Sequence, residues 1–229
     1  MLVVPEAEQL SVANNVIGAS PVRSILWVGD TATKGLALIS FGDYELEIHQ
    51  LYDARHRYVV PVEVRGPVSV LLFAVWTLPG PDRGYYIEPL LGSLETYATL
   101  LDRSGVVWAG DFNQNVQWDT GAGPYRFTNF IHQLAAHDIH SVYHQSRDCC
   151  HGSEPDHTFF LHHNPEKGYH IDFVFASASL LSGDPLLEVG DHATWLAKSD
   201  HMPIFCTFQR RAGARQCNGR RRAELDPPV

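Results

Sequence analysis

The sequence has no long hydrophobic run and few cysteines, and both absences narrow the class of protein. No stretch of its 229 residues approaches the roughly 20 consecutive apolar residues of a membrane-spanning helix, so no membrane segment is predicted. The four cysteines include the adjacent pair Cys149 and Cys150 and no Cys-x-x-Cys spacing, which makes a disulfide framework a poor interpretation. Residues 1–9 lack the charged segment and apolar core of a signal peptide. The compartment is therefore open, with the cytoplasm favoured.

Basic residues are scarce outside the C-terminal end of the chain. The net charge is −9, and residues 210–229 hold six arginines against two acidic residues. The rest of the chain has 11 basic residues and 24 acidic ones, which argues against a broad basic face that follows a phosphate backbone. The same acidity suits a site that gathers carboxylates around a cation. We predict one domain over residues 1–209 and a disordered basic tail over residues 210–229.

Short apolar runs rich in β-branched and aromatic residues predict many strands and few helices. The predicted strands are residues 2–4, 25–28, 35–40, 44–51, 58–64, 68–76, 105–108, 171–176 and 202–208. Two stretches, 88–101 and 125–137, instead carry apolar residues at helical spacing. Because the helices fall between strands, the pattern favours a layered α/β or α+β domain with a mainly antiparallel double sheet.

Acidic residues at strand ends are the strongest chemical signal in the sequence. Asp111 and Asn113 follow an apolar strand at a spacing of two, which a continuing strand would project to one face. Asp172 stands inside an apolar strand, where an unpaired charge is costly. Asp200 and His201 begin the last apolar run. Each has an ordinary structural explanation on its own, such as a turn for Asp-x-Asn, so their order along the chain carries the signal.

In this order the motifs resemble those of the endonuclease/exonuclease/phosphatase superfamily, which has the DNase I-like fold. That family shows Gly-Asp-Phe-Asn, a Thr-aromatic pair, an Ile-Asp-Tyr-Ile-Phe-like strand and Ser-Asp-His-x-Pro. The corresponding segments here are residues 110–113, 158–159, 171–175 and 199–203, preceded by strands at 2–6 and 34–40. The resemblance covers residues 2–208 and is to bacterial-type members. It implies a four-layer α/β sandwich with two mainly antiparallel central sheets flanked by helices.

The resemblance implies a catalytic role for four of these residues. Asp111 would orient or deprotonate the attacking water, and Asn113 would hold water and phosphate in line. Asp172 would accept a hydrogen bond from His201 and keep its imidazole oriented. His201 would donate to the scissile phosphate and stabilise the charge that grows there in the transition state.

The resemblance also implies a metal site and a substrate contact. Glu6 and Asp200 would bind a divalent cation, Mg²⁺ or Mn²⁺, for which oxygen ligands are the natural match. Trp76 would contact the substrate together with Asn113, and it stands where many members have His or Tyr. Asp119 is expected near the same cleft. The family's first strand, which carries an Asn, is expected to be missing from this chain.

The histidine-rich segment does not predict a second metal site. Nine of the 13 histidines lie between His132 and His170, and Cys149, Cys150 and His151 with His157 come nearest to a ligand cluster. Adjacent cysteines rarely both reach one tetrahedral ion, so solvated loop histidines are the preferred interpretation. Of the flanking tryptophans, we expect Trp108 in the core and consider Trp118 a candidate for the cleft wall.

The function indicated first is a divalent-metal-dependent phosphodiesterase, in the simplest case a nuclease with a nucleic acid as its substrate. One alternative is a phosphatase acting on small or lipid phosphoesters, which the scarcity of basic residues favours. The other is a catalytically impaired member of the fold, which Trp76 and the expected loss of the first strand favour. The sequence predicts neither the oligomeric state nor the number of metal ions.

Overall fold

The computed structural model describes residues 1–9, 22–80 and 84–209, so the predicted basic tail lies outside the described residues. The strands are β1 (Leu2–Ala7), β2 (Val22–Thr31), β3 (Lys34–Phe41), β4 (Glu45–Ile48), β5 (Val59–Arg65), β6 (Val70–Trp76), β7 (Val106–Asp111), β8 (Ile139–Ser141), β9 (Phe159–Phe160), β10 (Gly168–Tyr169), β11 (Asp172–Ser177), β12 (Leu186–Val189) and β13 (Ile204–Thr207). The α-helices are α1 (Ile87–Thr96), α2 (Ala98–Leu101), α3 (Phe127–Ala136), α4 (Val142–Arg147), α5 (Ala178–Leu181) and α6 (His192–Trp195).

A six-stranded sheet in the order β4-β5-β6-β7-β11-β8 forms the centre of the molecule. Its neighbouring strands run antiparallel except for β6 and β7, which are parallel. Strand β6 consists entirely of apolar residues and is almost fully buried, as expected for a strand covered on both faces. The carboxyl ends of β6 and β7 therefore meet at one edge of the sheet.

Helices α1 and α3 cover one face of this sheet. Their apolar stripes, which include Leu90, Leu94 and Phe130, bury against Phe73 and Trp108 of the sheet. The rings of Phe73 and Trp108 stack at 4.2 Å, and Phe130 meets Trp108 edge-on at 5.5 Å. Since truncating a buried phenylalanine costs about 3–5 kcal/mol, Phe130→Ala would weaken the whole helical layer.

A second sheet, in the order β1-β3-β2, covers the opposite face together with the β12–β13 pair. Leu36 and Leu38 of β3 pack there against Val60, Trp76 and other side chains of the central sheet. The predicted α+β sandwich with a mainly antiparallel double sheet is thus confirmed. In the described part of the chain, the longer helices lie over the six-stranded sheet.

The predicted elements differ from the structure mainly in their bounds, while the short strands β8, β9, β10 and β12 and the short helices α4, α5 and α6 were not predicted. Strand β7 extends to Asp111 and so carries the acidic motif, whereas the predicted strand 44–51 is shortened to β4. The predicted helix 88–101 is divided because Tyr97 leaves helical geometry, with its hydroxyl accepting the backbone N–H of Asp53 at 3.0 Å. Among the described residues, no helix has both the length and the apolar character needed to cross a bilayer.

Candidate active site

The site is built at the carboxyl ends of the parallel strands β6 and β7, where Trp76 is paired with Asp111. Gly110 precedes this carboxylate with a φ of +140°, and a Cβ there would lie 1.9 Å from the carbonyl oxygen of Val75. Only glycine is compatible with this conformation and this close approach of the two strands. The Gly in the Gly-Asp-Phe-Asn motif therefore has a steric reason, and it determines where Asp111 emerges from the sheet.

Two carboxylates face each other across the sheet at this edge. Asp111 of β7 is paired with Asp172 of β11, and Asp111 is only 2% exposed. Burial raises the pKa of Asp111, the charge of Asp172 raises it further, and the charge of Glu6 adds to the effect. Facing like charges are destabilising without a compensating cation. Carboxylate oxygens in excess of positive charge are the donor set of a hard divalent ion, so these residues fit Mg²⁺ or Mn²⁺.

Asn113 folds back towards Asp111 and does not continue the strand. With a φ of +46°, it donates its backbone N–H to Asp111 Oδ1 at 2.8 Å and its Nδ2 to Asp111 Oδ2 at 2.7 Å. The Nδ2 also donates to the carbonyl oxygen of Thr77 at 3.1 Å. The two side chains do converge, but through a left-handed residue after the strand and not through the predicted period of two. Because both amide hydrogens are engaged, Oδ1 is the atom of Asn113 that can accept a further hydrogen bond.

His201 lies beside the two carboxylates. Its Nδ1 is 3.0 Å from Asp172 Oδ2, and its ring packs against Phe159 with the centroids 4.8 Å apart. Burial by itself lowers the pKa of His201, but the hydrogen bond to Asp172 and the charges of Asp172, Asp111 and Asp200 raise it to about 9. The imidazole is therefore cationic at neutral pH. Both of its nitrogens are then donors, and with Nδ1 directed at Asp172, Nε2 can donate elsewhere.

Thr158 connects the strand of Asp172 with the loop of His201. Its Oγ1 accepts the backbone N–H groups of Ile171 and Asp172, each at 3.0 Å, and its carbonyl oxygen accepts the N–H of Met202 at 2.7 Å. Thr158 is completely buried. The resemblance pointed to a threonine at this position, and the structure supplies its physical reason, which is to hold the backbone on both sides of the His201–Asp172 pair.

Glu6 reaches the same region from the end of β1, where the pairing with β3 is bulged. Its backbone is left-handed, with a φ of +57°. The carboxylate forms an ion pair with Lys34, whose Nζ lies 2.8 Å from Oε2. The same ammonium lies 5.6 Å from the centroid of the Trp76 indole. The sequence did not single out Lys34 as a site residue, although it begins the strand that the resemblance placed after Glu6.

Trp76 and Asp200 occupy the margins of this cluster. Trp76 is 2% exposed and packs on Tyr58, with centroids 4.6 Å apart, so its indole lies between the two sheets beneath Lys34. Its predicted contact with substrate stays a prediction. Asp200 is partly buried next to His201, and its charge helps to raise the pKa of His201. The predicted metal contact of Asp200 also stays a prediction.

Asp119 accepts hydrogen bonds from the first residues of helix α3. Its Oδ1 accepts the backbone N–H of Phe127 at 2.7 Å, and its Oδ2 accepts that of Thr128 at 2.9 Å. These are unpaired donors of the first turn of α3, so Asp119 caps this helix. Asp119 also lines a groove that opens beside Asn113, and the expectation that its charge contributes to the metal cleft stays a prediction.

A groove of about 810 Å³ opens beside Asn113. Among its walls are four partly exposed aromatic side chains, Tyr85, Tyr86, Trp118 and Tyr125. The Tyr85 and Tyr125 rings lie 5.9 Å apart. Trp118, a candidate for the cleft wall, is 43% exposed. Exposed aromatic faces next to a polar site provide stacking surfaces for planar groups.

The histidine-rich segment differs from its prediction. His144 and His170 are buried, at 8% and 1% exposure, so the interpretation of solvated loop histidines is wrong for these two. Sequence reasoning did not connect His144 with His151 and Glu154, whose ligand atoms lie within 4.8 Å of one another. The spacing of these three residues was available in the sequence but matches no short ligand motif.

Comparison with known proteins gives matches among solved structures only. No protein-family model matches the chain, and no curated protein matches it in sequence. A 3′-5′ exonuclease (NExo) from Neisseria meningitidis superimposes with a TM-score of 0.61 at 17% identity, over 91% of this chain and 89% of the other. The AP endonuclease LMAP from Leishmania major gives 0.64 at 14% identity, over 87% and 74%.

A further match is the 3′ phosphatase NExo from Neisseria bound to product DNA hairpin. Its TM-score is 0.57 at 18% identity, over 82% of this chain and 79% of the other. Identities this low establish the fold alone. The chain therefore shares the DNase I-like fold of these solved structures, which is the fold that the order of its motifs predicted.

Proposed function

Proceeding from the DNase I-like fold, we propose that this protein is a divalent-metal-dependent phosphodiesterase that acts as a nuclease. One observation carries the proposal. Asp111 and Asp172 face each other at one sheet edge, with His201 hydrogen-bonded to Asp172 and Asn113 hydrogen-bonded to Asp111. This arrangement concentrates negative charge, an oriented acid and an oriented amide at a single point, as hydrolysis of a phosphoester requires.

The metal is Mg²⁺ or Mn²⁺ in this proposal, with Glu6 and Asp200 as its ligands and Asp111 close by. Such an ion supplies positive charge next to the phosphate and offsets the repulsion among the carboxylates. Lys34 adds to this positive charge, since its ammonium lies 2.8 Å from Oε2 of the Glu6 carboxylate.

His201 and Asp111 carry the proton chemistry of the proposal. His201, held cationic by Asp172, donates from Nε2 to a non-bridging or leaving oxygen of the phosphate. Asp111 accepts a hydrogen bond from the attacking water. Asn113 orients that water through Oδ1, since its amide hydrogens are bound by Asp111 and the carbonyl of Thr77. Its role in holding the phosphate itself is then secondary.

The aromatic groove favours a nucleic acid over a small phosphoester. Nucleobases stack on aromatic faces without a need for basic side chains, and the groove adjoins Asn113. Two neighbours in fold are named for nucleic-acid chemistry, as a 3′-5′ exonuclease and an AP endonuclease. The acidic composition of residues 1–209 in turn argues against long tracts of duplex backbone. A substrate with unpaired bases near a strand end or a lesion is consistent with both the aromatic groove and the acidic composition.

A phosphatase activity is the second candidate. A neighbour in fold is named as a 3′ phosphatase bound to product DNA hairpin, and a terminal phosphate needs less backbone contact than an internal one. Both activities use the same charged cluster, so they differ in substrate and not in the residues that carry the reaction.

Turnover on a panel of substrates tests the proposal. We expect the purified protein to hydrolyse single-stranded or nicked DNA, or RNA, with Mg²⁺ or Mn²⁺, and to lose this activity in EDTA. Inositol phosphates and a 3′-phosphorylated oligonucleotide in the same panel separate the phosphatase alternative. Activity that survives both EDTA and His201→Ala would falsify the proposed chemistry. Absence of turnover on every substrate would favour a catalytically impaired member.

The aromatic groove has a separate test in substrate binding. With His201→Ala as the parent, so that cleavage is slow, Trp118→Ala should weaken binding of a single-stranded oligonucleotide by about 1–3 kcal/mol, the usual contribution of one stacked base. Fluorescence anisotropy measures the affinity. Phe205→Ala is the matched control, because Phe205 is an equally exposed aromatic residue on β13 that does not line the groove. Equal affinities of both variants would exclude stacking on Trp118.

A further inference from the structure

A second polar cluster lies on the other side of β11 from the acidic site. It consists of His144 on α4 and of His151 and Glu154 on the loop that follows, and one ligand atom from each lies within 4.8 Å of the others. The rings of His144 and His151 are 6.2 and 6.5 Å from that of Phe173. Because neighbouring residues of a strand point to opposite faces, Phe173 separates this cluster from Asp172.

Glu154 is a buried carboxylate surrounded by hydrogen-bonding groups. It accepts hydrogen bonds from the Gly152 N–H at 2.9 Å and from Asn115 Nδ2 at 3.2 Å, and His144 Nε2 lies 2.9 Å away. Within residues 1–9, 22–80 and 84–209, no lysine or arginine pairs with this carboxylate. A buried charge of this kind is costly unless a cation accompanies it.

The two imidazoles present nitrogen atoms around this carboxylate. The Nδ1 of His151 is buried with no hydrogen-bond partner among the described residues. His144 is held from behind by Ser141, whose Oγ lies 2.7 Å from Nδ1. An imidazole oriented through one nitrogen presents the other as a metal ligand.

We propose that His144, His151 and Glu154 form a second cation site, distinct from the acidic cluster, that takes a transition-metal ion of the Zn²⁺ class. Two imidazole nitrogens and one carboxylate are a ligand set that zinc accepts and that Mg²⁺ does not prefer. The His144 and His151 rings stack face to face at 3.5 Å. Binding therefore requires His151 to rotate and the metal to replace the hydrogen bond between His144 and Glu154.

The site has a structural role that follows from its contacts. Asn115, which donates to Glu154, also donates to the carbonyl oxygen of His170 at 2.9 Å and accepts the N–H of Gln117. It stands two residues after Asn113 in the chain. A metal on Glu154 would therefore stiffen the loop between the acidic cluster and Trp118 without contacting the substrate.

Metal titration of the stripped, full-length protein tests this site. After EDTA treatment and buffer exchange, Zn²⁺ binding is measured by calorimetry, and Co²⁺ replaces Zn²⁺ for the visible absorption bands that report nitrogen and oxygen ligation. Glu6→Gln disables the acidic site, and His151→Gln disables the proposed one. His132→Gln is the matched control, because His132 is an exposed histidine of α3.

We expect Glu6→Gln and His132→Gln to keep the Zn²⁺ site and its Co²⁺ spectrum, and His151→Gln to weaken binding more than about 10-fold. Equal binding by His151→Gln and the unaltered protein, loss of all Zn²⁺ binding in Glu6→Gln, or no binding at all would overturn the proposal. Glu154→Gln preserves the size of the side chain and is the second variant if His151→Gln does not fold. Zn²⁺ affinity unchanged in Glu154→Gln would also overturn it.

Discussion

The two polar clusters on either side of β11 both contain a buried carboxylate, but they differ in what surrounds it. In the acidic cluster, burial and the facing charge of Asp172 raise the pKa of Asp111, and the same carboxylates raise the pKa of His201 against the effect of burial. In the histidine cluster, a single carboxylate, Glu154, is buried beside His144 and Asn115, with no lysine or arginine paired to it in the described part of the chain. The first cluster therefore gathers several carboxylates at one place, whereas the second holds one carboxylate among imidazole and amide groups. One strand therefore separates two proposed metal sites, which differ in their metal preference and in the direction of their response to pH.

The largest expected difference between the clusters is in catalysis. His201→Ala should lower the rate of phosphodiester hydrolysis by about 10²–10⁴-fold, the usual contribution of a positioned acid, because it removes the donor beside Asp172. His144→Gln should lower the rate much less, since His144 lies on the far side of Phe173 and contacts neither Asp172 nor His201 in the described structure. Initial rates at saturating Mg²⁺ measure both. A comparable loss in the two variants would break the functional distinction between the clusters.

The next expected effect is on stability, and it belongs to the histidine cluster. Glu154→Ala leaves His144 and Asn115 without their buried partner, and leaving a buried donor unsatisfied costs about 1–3 kcal/mol. Urea unfolding followed by tryptophan fluorescence measures the loss. Glu95→Ala, at an exposed position of α1, is the control and should change the free energy of unfolding by less than about 1 kcal/mol. A small effect of Glu154→Ala would mean that water replaces its contacts.

The sequence predicted the acidic cluster well because its residues sit on regular elements. Asp111 ends strand β7 and Asp172 begins strand β11, and apolar runs mark both strands in the sequence. The orientation of Asn113 was predicted less well, because the strand ends at Asp111 and a left-handed residue redirects the amide. Such a change of backbone conformation leaves no periodic signal in the sequence.

The histidine cluster could not be predicted in the same way. His144 lies on a helix of six residues, whose start is capped by Ser141 Oγ accepting the N–H of His144 at 3.4 Å, and His151 and Glu154 lie on an irregular loop. Hydrophobic periodicity carries no information about where such a loop returns to the sheet. The adjacent cysteines looked like the nearest ligand candidates in the sequence, but Cys149 is half-buried and Cys150 is exposed.

Protonation should separate the clusters by the direction of the pH effect. The pKa of His201 is raised from 6.5 to about 9, so its stabilising contribution is complete below pH 6.5 and is lost as the pH rises through about 9. The pKa of His151 is lowered from 6.5 to about 4, so its contribution is present above pH 6.5 and is lost as the pH falls through about 4.

Thermal unfolding in EDTA between pH 4 and pH 10 gives the melting temperature as a function of pH. We expect His201→Gln to reduce only the fall in melting temperature on the alkaline side, and His151→Gln to reduce only the fall on the acidic side. If each variant altered the fall on the opposite side, the assignment of the two titrations would be reversed. Glu154, with its pKa lowered to about 2, adds stability above pH 4.5 that is lost at still lower pH.

The smallest expected stability effect is at Glu6. The Lys34–Glu6 pair is about half exposed on both sides, and such pairs contribute about 0–1 kcal/mol. Glu6→Gln should therefore change the free energy of unfolding very little, while it abolishes the increase in melting temperature that Mg²⁺ or Mn²⁺ gives. Glu8→Gln, at a nearby exposed position, is the control. A normal metal response in Glu6→Gln would remove Glu6 from the metal site.

The left-handed backbone at Glu6 has a consequence for anyone who redesigns this protein for thermostability. The left-handed conformation costs a residue with a Cβ about 1–2 kcal/mol. Glycine adopts it freely, and asparagine adopts it more readily than glutamate. A procedure that optimises folding energy alone would therefore replace Glu6 by one of these two. Both lack the carboxylate, so position 6 should be excluded from any such design, and a homologue with Gly or Asn there would lack the metal ligand that we propose for Glu6.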